Sequence, residues 1–186
     1  MFFWIILAVV VIYFVITYNS LISVKNNVAK AWANIDVLLK QRHDELPKLV
    51  DACRQYMQHE QATLEKVIQA RNGVDTARQS HDLAALSSAE TNLRGSLGGL
   101  FAVAENYPDL KADQTFLNLQ SRITSLENQI ADRREFYNDS VNINNVRIQQ
   151  FPDLVVAKLF SFDEQAFLHF AANELKDVDI SARFKA

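Results

Sequence analysis

The N-terminal stretch constrains this chain most, because residues 1–24 carry no charged side chain and residues 2–16 form an unbroken apolar run. With the largely apolar positions up to Ile22, the stretch reaches the roughly 20 residues that a helix needs to cross a bilayer core. The core helix of a soluble protein would show a polar face, and residues 2–16 show none. No basic segment precedes the run and no A-x-A-like cleavage site follows it. We therefore predict an uncleaved transmembrane anchor over residues 1–24, whose aromatic residues are Phe2, Phe3, Trp4, Tyr13, Phe14 and Tyr18.

The charges that flank the anchor predict its orientation. No basic residue precedes the span, whereas Lys25, Lys30, Lys40 and Arg42 follow it. Loops rich in Lys and Arg stay on the cytoplasmic side of a membrane. We therefore expect the N-terminus outside and the rest of the chain in the cytoplasm.

The remainder of the chain has the periodicity of helices. Apolar residues recur every three to four positions, and no strand-length alternation is sustained. The pattern predicts one helix from the membrane to about residue 45, a new helix beginning at Pro47, a third ending before Pro108 and a fourth ending before Pro152. The predicted fold is therefore all-α, and its short connections make sequential helices antiparallel neighbours. It is a transmembrane helix that continues into an elongated antiparallel four-helix bundle over residues 25–150.

The C-terminal part divides into two segments. Residues 151–170 are rich in phenylalanine, and residues 171–186 are of mixed charge and are expected to be a flexible tail. The apolar segment has three candidate locations: against the bundle, in the membrane interface, or on another subunit. Packing on its own bundle or a neighbour is favoured, because membrane-surface helices are usually rich in Lys and Arg and only Lys158 qualifies here. The peripheral packing or interface residues are Phe151, Phe160, Phe162, Phe167 and Phe170.

Composition and motifs indicate no catalytic, cofactor or metal site. The net charge of −3 argues against a nucleic-acid partner. No phosphate-binding glycine motif and no C-x-x-C occurs, and the zinc-protease pattern fails because Thr63 stands four residues after His59. Cys53 falls on an apolar stripe, which favours a buried, inert thiol over a nucleophile.

Polar residues at core positions are the main anomaly. Glu60 and Arg71 fall on the apolar stripe of the second predicted helix, the one that begins at Pro47, and buried charges are rare unless paired. Each should contact a charge or amide on another helix, with Glu127 among the candidates. Such contacts set helix register more often than they form a reactive site. Trp32 and Asp36, on the helix leaving the membrane, fit either a bundle core or an interface between protomers.

Three glycines cluster on the third helix. Gly95, Gly98 and Gly99 each cost helix stability, roughly 1 kcal/mol relative to alanine. Close packing against another helix, within the bundle or between protomers, is the favoured explanation, and a ligand-binding loop is the alternative.

Several motifs together resemble those of the LemA family. They are Tyr18-Asn19, Ala31-Trp32 with Ile35-Asp36, Leu39-Lys40 with Arg42, Leu46-Pro47, His59-Glu60 with Ala70-Arg71, Glu105 to Ala112, Phe116 to Gln120, Arg134 with Tyr137-Asn138, and Phe151-Pro152. The resemblance covers about residues 1–170, and departs at Asn144 and at Asp153-Leu154. It implies a bacterial protein anchored in the cytoplasmic membrane, with an antiparallel helical bundle in the cytoplasm and no established catalytic activity. A related branch is linked to building the magnetosome membrane.

Two hypotheses of function follow. The first is a non-enzymatic scaffold that is anchored in lipid by one helix, self-associates as a homo-oligomer through its bundle, and organises or remodels membrane. The second is an accessory or sensor subunit that binds other membrane proteins, such as an envelope protease. A hydrolase using Glu60 and His59 is a weaker third hypothesis.

Overall fold

Six helices make up the computed structural model, which describes residues 1–169; no strand occurs within that range. The all-α class is confirmed, and the long N-terminal apolar helix is present. The four-helix bundle itself stays a prediction. Phe170 and the expected tail over residues 171–186 lie outside the described residues. The helices are α1 (Phe2–Arg54), α2 (Gln61–Ser80), α3 (Leu83–Ala104), α4 (Pro108–Ala112), α5 (Gln114–Gln149) and α6 (Asp153–Leu159).

The predicted helix start at Pro47 is wrong, because α1 runs through this proline to Arg54. A proline inside a helix lacks the N–H that would bond the carbonyl four residues earlier, here that of His43. Nε of Arg71, on α2, donates a hydrogen bond to this carbonyl oxygen at 2.9 Å. A side chain from a neighbouring helix thus supplies the missing donor, and the break falls instead over residues 55–60.

A two-residue connection joins α2 to α3. His81 adopts a left-handed conformation (φ 55°) and ends α2, and its N–H donates to the carbonyl of Arg78. The carboxylate of Asp82 then caps α3 by accepting hydrogen bonds from the N–H groups of Ala84 and Ala85. Because so short a connection reverses the chain, α2 and α3 pack as an antiparallel pair.

The chain divides into two compact units. Unit 1 consists of Met1–Val37 and Gln129–Phe167, and unit 2 consists of Leu38–Asn128 with Leu168 and His169. The apolar stripes predicted for α3 and α5 do supply buried residues. These are Leu86, Leu93, Leu97, Leu100 and Ala104 on α3, and Phe116, Ile123, Leu126, Ile130, Tyr137, Val141 and Ile148 on α5.

In unit 1, α1 and α5 run antiparallel, and α6 packs on α1. The ring of Trp32 lies 5.9 Å from that of Tyr137, whereas Leu21 clusters with Ile148, eleven residues further along α5. The end of α6 is closed by Ser161 in the left-handed region (φ 54°) and by a hydrogen bond from the N–H of Phe162 to the carbonyl of Ala157. One face of α6 contributes Val156 and Ala157 to the cluster around Leu21.

Candidate functional site

A buried group of charges in unit 2 is the strongest polar feature of the described chain. Arg42 on α1 is 1% exposed, and its guanidinium pairs with Glu90 on α3. Its Nη1 also donates to Oε1 of Glu127 on α5 at 3.3 Å, and Nε of Arg94 lies 3.6 Å from Oε2 of Glu127. We call Arg42, Glu90, Glu127 and Arg94 the Arg42 cluster. Its formal charges cancel, and Arg42 links three helices through charged hydrogen bonds.

The Arg42 cluster can hold helices in register, but it offers no group for catalysis. Arginine stays protonated, so neither Arg42 nor Arg94 can act as a base. Both carboxylates accept from guanidinium groups, and the cluster contains no Ser, Cys or His that either could activate. Geometry and composition therefore favour a structural role, in which buried ion pairs fix which helix faces meet.

Glu127 pairs with Arg42 and Arg94 and is not the partner of either Glu60 or Arg71. Both of these residues are half-buried, so their expected burial is wrong. Glu60 lies just before α2 rather than within a helix, and its Oε1 is 3.5 Å from the hydroxyl of Tyr107. Arg71 donates to the backbone amide carbonyl of His43 on α1, which is a contact on another helix. Glu90 was missed, although it follows Leu86 by four residues on the buried stripe of α3.

His43 accepts a second hydrogen bond from Arg71. Nη2 of Arg71 lies 2.5 Å from Nε2 of the imidazole. Because the guanidinium can only donate, Nε2 must be unprotonated and the ring neutral. Burial, together with the neighbouring Arg71 charge, lowers the pKa of His43. Protonation of His43 at acidic pH would therefore remove this contact between α1 and α2.

Trp32 and Asp36 lie in unit 1 and are both half-buried. The indole ring of Trp32 meets the ring of Tyr137 edge-on, and the hydroxyl of Tyr137 donates to the carbonyl of Ala166 at 3.0 Å. Trp32 therefore packs against a residue of its own chain, and its place in a bundle core or in an interface between protomers stays a prediction.

Cys53 is fully buried, and burial raises the pKa of its thiol to about 12. A thiol in that state does not act as a nucleophile near neutral pH. Within residues 1–169, no group of three or more His, Cys, Asp or Glu side chains is placed to hold a metal ion.

The glycines of α3 face open space. A Cβ atom built on Gly95, Gly98 or Gly99 would meet no heavy atom within 4 Å, whereas one on Gly73 would lie 4.0 Å from Cβ of Ala89. The expectation that these three glycines allow close packing within the bundle is therefore wrong. An approach by another chain stays open as a prediction.

The apolar part of α1 has the length and composition of a membrane-spanning helix and is almost uncovered by the rest of the chain. Of the predicted anchor residues, Phe2, Phe3, Trp4 and Tyr13 are exposed, and Phe14 and Tyr18 are partly covered. The core helix of a soluble protein would be buried, so this exposure favours a membrane anchor.

Comparison with known proteins identifies the family. The sequence model of the LemA family matches residues 31–182. The chain belongs to the LemA family. A relative named protein LemA, from Metamycoplasma hominis, is 30% identical over 180 residues, which cover 94% of this chain and 79% of the relative.

Two shorter matches are to magnetosome proteins. MamQ of Magnetospirillum gryphiswaldense is 29% identical over 85 residues, covering 46% of this LemA-family chain and 31% of the relative. MamQ 2 of Paramagnetospirillum magneticum is 34% identical over 68 residues, covering 37% and 25%. The names of these relatives carry no enzymatic activity, and the MamQ matches span only a minor part of each relative.

Proposed function

We propose that this protein is a non-enzymatic scaffold of the bacterial cytoplasmic membrane, which self-associates through its helices and thereby organises the surrounding lipid. The N-terminus lies outside, and the helices after the span lie in the cytoplasm. The proposal rests first on family membership and on an exposed apolar helix that is suited to a bilayer. The names of the MamQ relatives support a role in organising membrane, since a magnetosome is a membrane compartment.

An apolar surface on α5 is the main observation that favours self-association. Phe136 and Ile143 are both exposed, although they lie on a helix that buries its opposite side. Their spacing of seven residues places them on one face, as at successive equivalent positions of a coiled coil. We call these two residues the α5 stripe. A helix face of this kind is stabilised when a second copy covers it.

The α3 glycines offer a second surface with the same use. Gly95 and Gly99 are four residues apart and so lie on one helix face with open space above it. Helices that present small residues at this spacing can approach one another closely. A second copy could therefore pack its backbone against α3 without displacing a side chain.

Cysteine crosslinking in the membrane tests the α5 stripe. The Ile143→Cys variant of the full chain is treated with a short bismaleimide in its native membrane and should give a covalent dimer. The buried Cys53 provides an internal control, since the wild-type chain should not crosslink. Asn142→Cys is the matched control, because position 142 is exposed and lies about 100° around the helix from position 143.

Equal crosslinking at positions 142 and 143 would mean random collision and would overturn this surface. Crosslinking of Ile143→Cys to one different protein, with no homodimer, would favour the accessory-subunit hypothesis instead. The membrane effect is tested separately by imaging vesicles with the reconstituted protein. Vesicles identical to protein-free ones would contradict that part of the proposal.

The predicted orientation is tested by a membrane-impermeant maleimide applied to intact cells that express the full chain. A cysteine inserted directly after Met1 should react, and one placed at the exposed position Gln79 should react only after lysis. The reverse pattern would place the helices after the span outside the cytoplasm.

A further inference from the structure

We propose that α6 and the turn after it are seated in the membrane interface, with Phe151, Leu159 and Phe160 in contact with lipid acyl chains. The partner is the bilayer itself, on the side where α1 leaves it. This inference needs the membrane span but not self-association, so it goes beyond the scaffold proposal and can fail separately from it.

The first argument is where α6 packs. Val156 and Ala157 of α6 form a cluster with Leu21 and Ile148, and Phe14 and Tyr18 pack against the same cluster. Phe14 lies inside the unbroken apolar run of residues 2–16. The α6 segment thus packs on one face of α1 within the membrane-spanning part of that helix.

The covered positions follow one face of α1. Thr17 is only 4% exposed and Leu21 is buried, whereas Val15 and Ile16 beside them are exposed. Residues 14, 17, 18 and 21 have the spacing of a single helix face. The rest of the protein therefore covers this face of α1 continuously, and the other faces of the same helical turns stay accessible to lipid.

Depth follows from helix geometry. A span of about 20 residues beginning at Phe2 ends near Leu21. The seven helical steps from Phe14 to Leu21 cover about 10 Å at 1.5 Å each. Atoms that pack on this stretch lie at the depth of the headgroups and the outer acyl chains, which is where interfacial helices sit.

Several exposed side chains of this segment are apolar, as contact with lipid acyl chains requires. Phe151 is 82% exposed and Leu159 is 67% exposed, and Phe160, whose ring lies 4.7 Å from that of Tyr18, is also exposed. Aromatic and aliphatic side chains left open beside a membrane span gain free energy by entering lipid.

Polar groups at the two ends of α6 have ionic or hydrogen-bond partners inside the protein, as the low dielectric near lipid acyl chains requires. Nε of Arg147 pairs with Oδ2 of Asp153 at 2.7 Å. The N–H of Phe160 donates to the carbonyl of Val156, so the end of α6 keeps its hydrogen bonds inside the segment. Lys158 can extend its ammonium to the lipid headgroups from the same helix.

Depth-dependent quenching in vesicles tests the proposal with the full chain. Phe151→Cys and Leu159→Cys are each labelled with an environment-sensitive maleimide dye. Cys53 does not compete for the dye, because its thiol is buried and protonated. The labelled chains are reconstituted into phosphatidylcholine–phosphatidylglycerol vesicles and exposed either to a lipid with a quencher high on its acyl chain or to aqueous iodide.

Asp132→Cys is the matched control. Asp132 is exposed on α5 and lies about 24 Å along that helix from Ile148, on the side away from the span. We expect loss of fluorescence with the lipid quencher and a blue-shifted emission at positions 151 and 159. At position 132 we expect quenching by iodide only.

Two outcomes would overturn the proposal. Iodide quenching at positions 151 and 159 that equals the quenching at position 132 would place the segment in water. Shielding of both positions from the lipid quencher and from iodide would mean that protein, such as a second copy, covers them. The crosslinking test of the α5 stripe is not affected by either result.

Discussion

Nε of Arg71 donates a hydrogen bond to the carbonyl oxygen of His43 at 2.9 Å, and this contact completes a helix that a proline interrupts. Pro47, four residues after His43, has no N–H to offer. The charged residue that falls in an apolar stripe of α2 and the proline inside α1 therefore have a common explanation. The Arg71 side chain replaces the hydrogen-bond donor that Pro47 lacks.

A double-mutant cycle tests this relationship. Arg71→Met removes the donor and leaves a partly buried carbonyl unpaired, which should lower the free energy of unfolding by about 1 kcal/mol. In a Pro47→Ala background the alanine N–H can bond the carbonyl, so the same change should cost less. Urea unfolding in mild detergent, followed by circular dichroism, measures both. Equal costs in the two backgrounds would mean that Arg71 does not replace the missing donor.

The pH dependence of stability reports on His43. Burial and the Arg71 charge lower its pKa in the folded state, while Asp75 and Asp44 raise it and Arg78 lowers it further. The unfolded state therefore binds more protons, so this contribution is complete above the usual pKa of 6.5 and is lost as pH falls below it. His43→Asn should flatten the fall in stability that begins as pH drops below 6.5. A variant profile that runs parallel to that of the wild type would contradict this assignment.

The Arg42 cluster should respond asymmetrically to substitution. The side chains of Arg42 and Glu90 are only 2% and 6% exposed, so Arg42→Met strands Glu90 and should cost about 3–5 kcal/mol. Adding Glu90→Leu to that variant should recover part of the loss. Lys48→Met is the control: it removes an ion pair whose lysine is exposed and should change stability by about 1 kcal/mol or less. Similar costs for Arg42→Met and Lys48→Met, measured by urea unfolding, would show that the cluster is not a buried structural element.

Gly99→Ala separates the fold from association. Its Cβ would enter open space on a helical residue, so the substitution should stabilise the monomer by up to about 1 kcal/mol. If a second copy packs on the glycines, the same methyl group should weaken association, as measured by the concentration dependence of the mass in detergent. An increase in stability with unchanged association would remove the α3 glycines from the interface.

Periodicity predicted the helices and their buried stripes because a 3.6-residue repeat is a local property. The buried residues Leu93 and Ile123 both follow that repeat. Periodicity failed at Pro47, because the donor that allows the helix to continue comes from α2. No local pattern contains that information.

The pairing of charges was harder to predict for a similar reason. Glu127 was a candidate partner, but the choice of Arg42 as its donor depends on which faces of α1, α3 and α5 meet. The position of Glu90 on the α3 stripe would have identified it as buried. α6 and its turn could not be predicted in detail, because their location depends on a contact with Tyr18, more than a hundred residues away.

The mass of the full-length protein in mild detergent, measured by light scattering, tests the central claim most directly. The scaffold proposal predicts a defined assembly of several chains, and it predicts that Ile143→Glu shifts this assembly toward single chains while the helical signal stays unchanged. Asn142→Glu should leave the assembly intact. A wild-type protein that remains a single chain at every concentration would contradict self-association and would favour the accessory-subunit hypothesis.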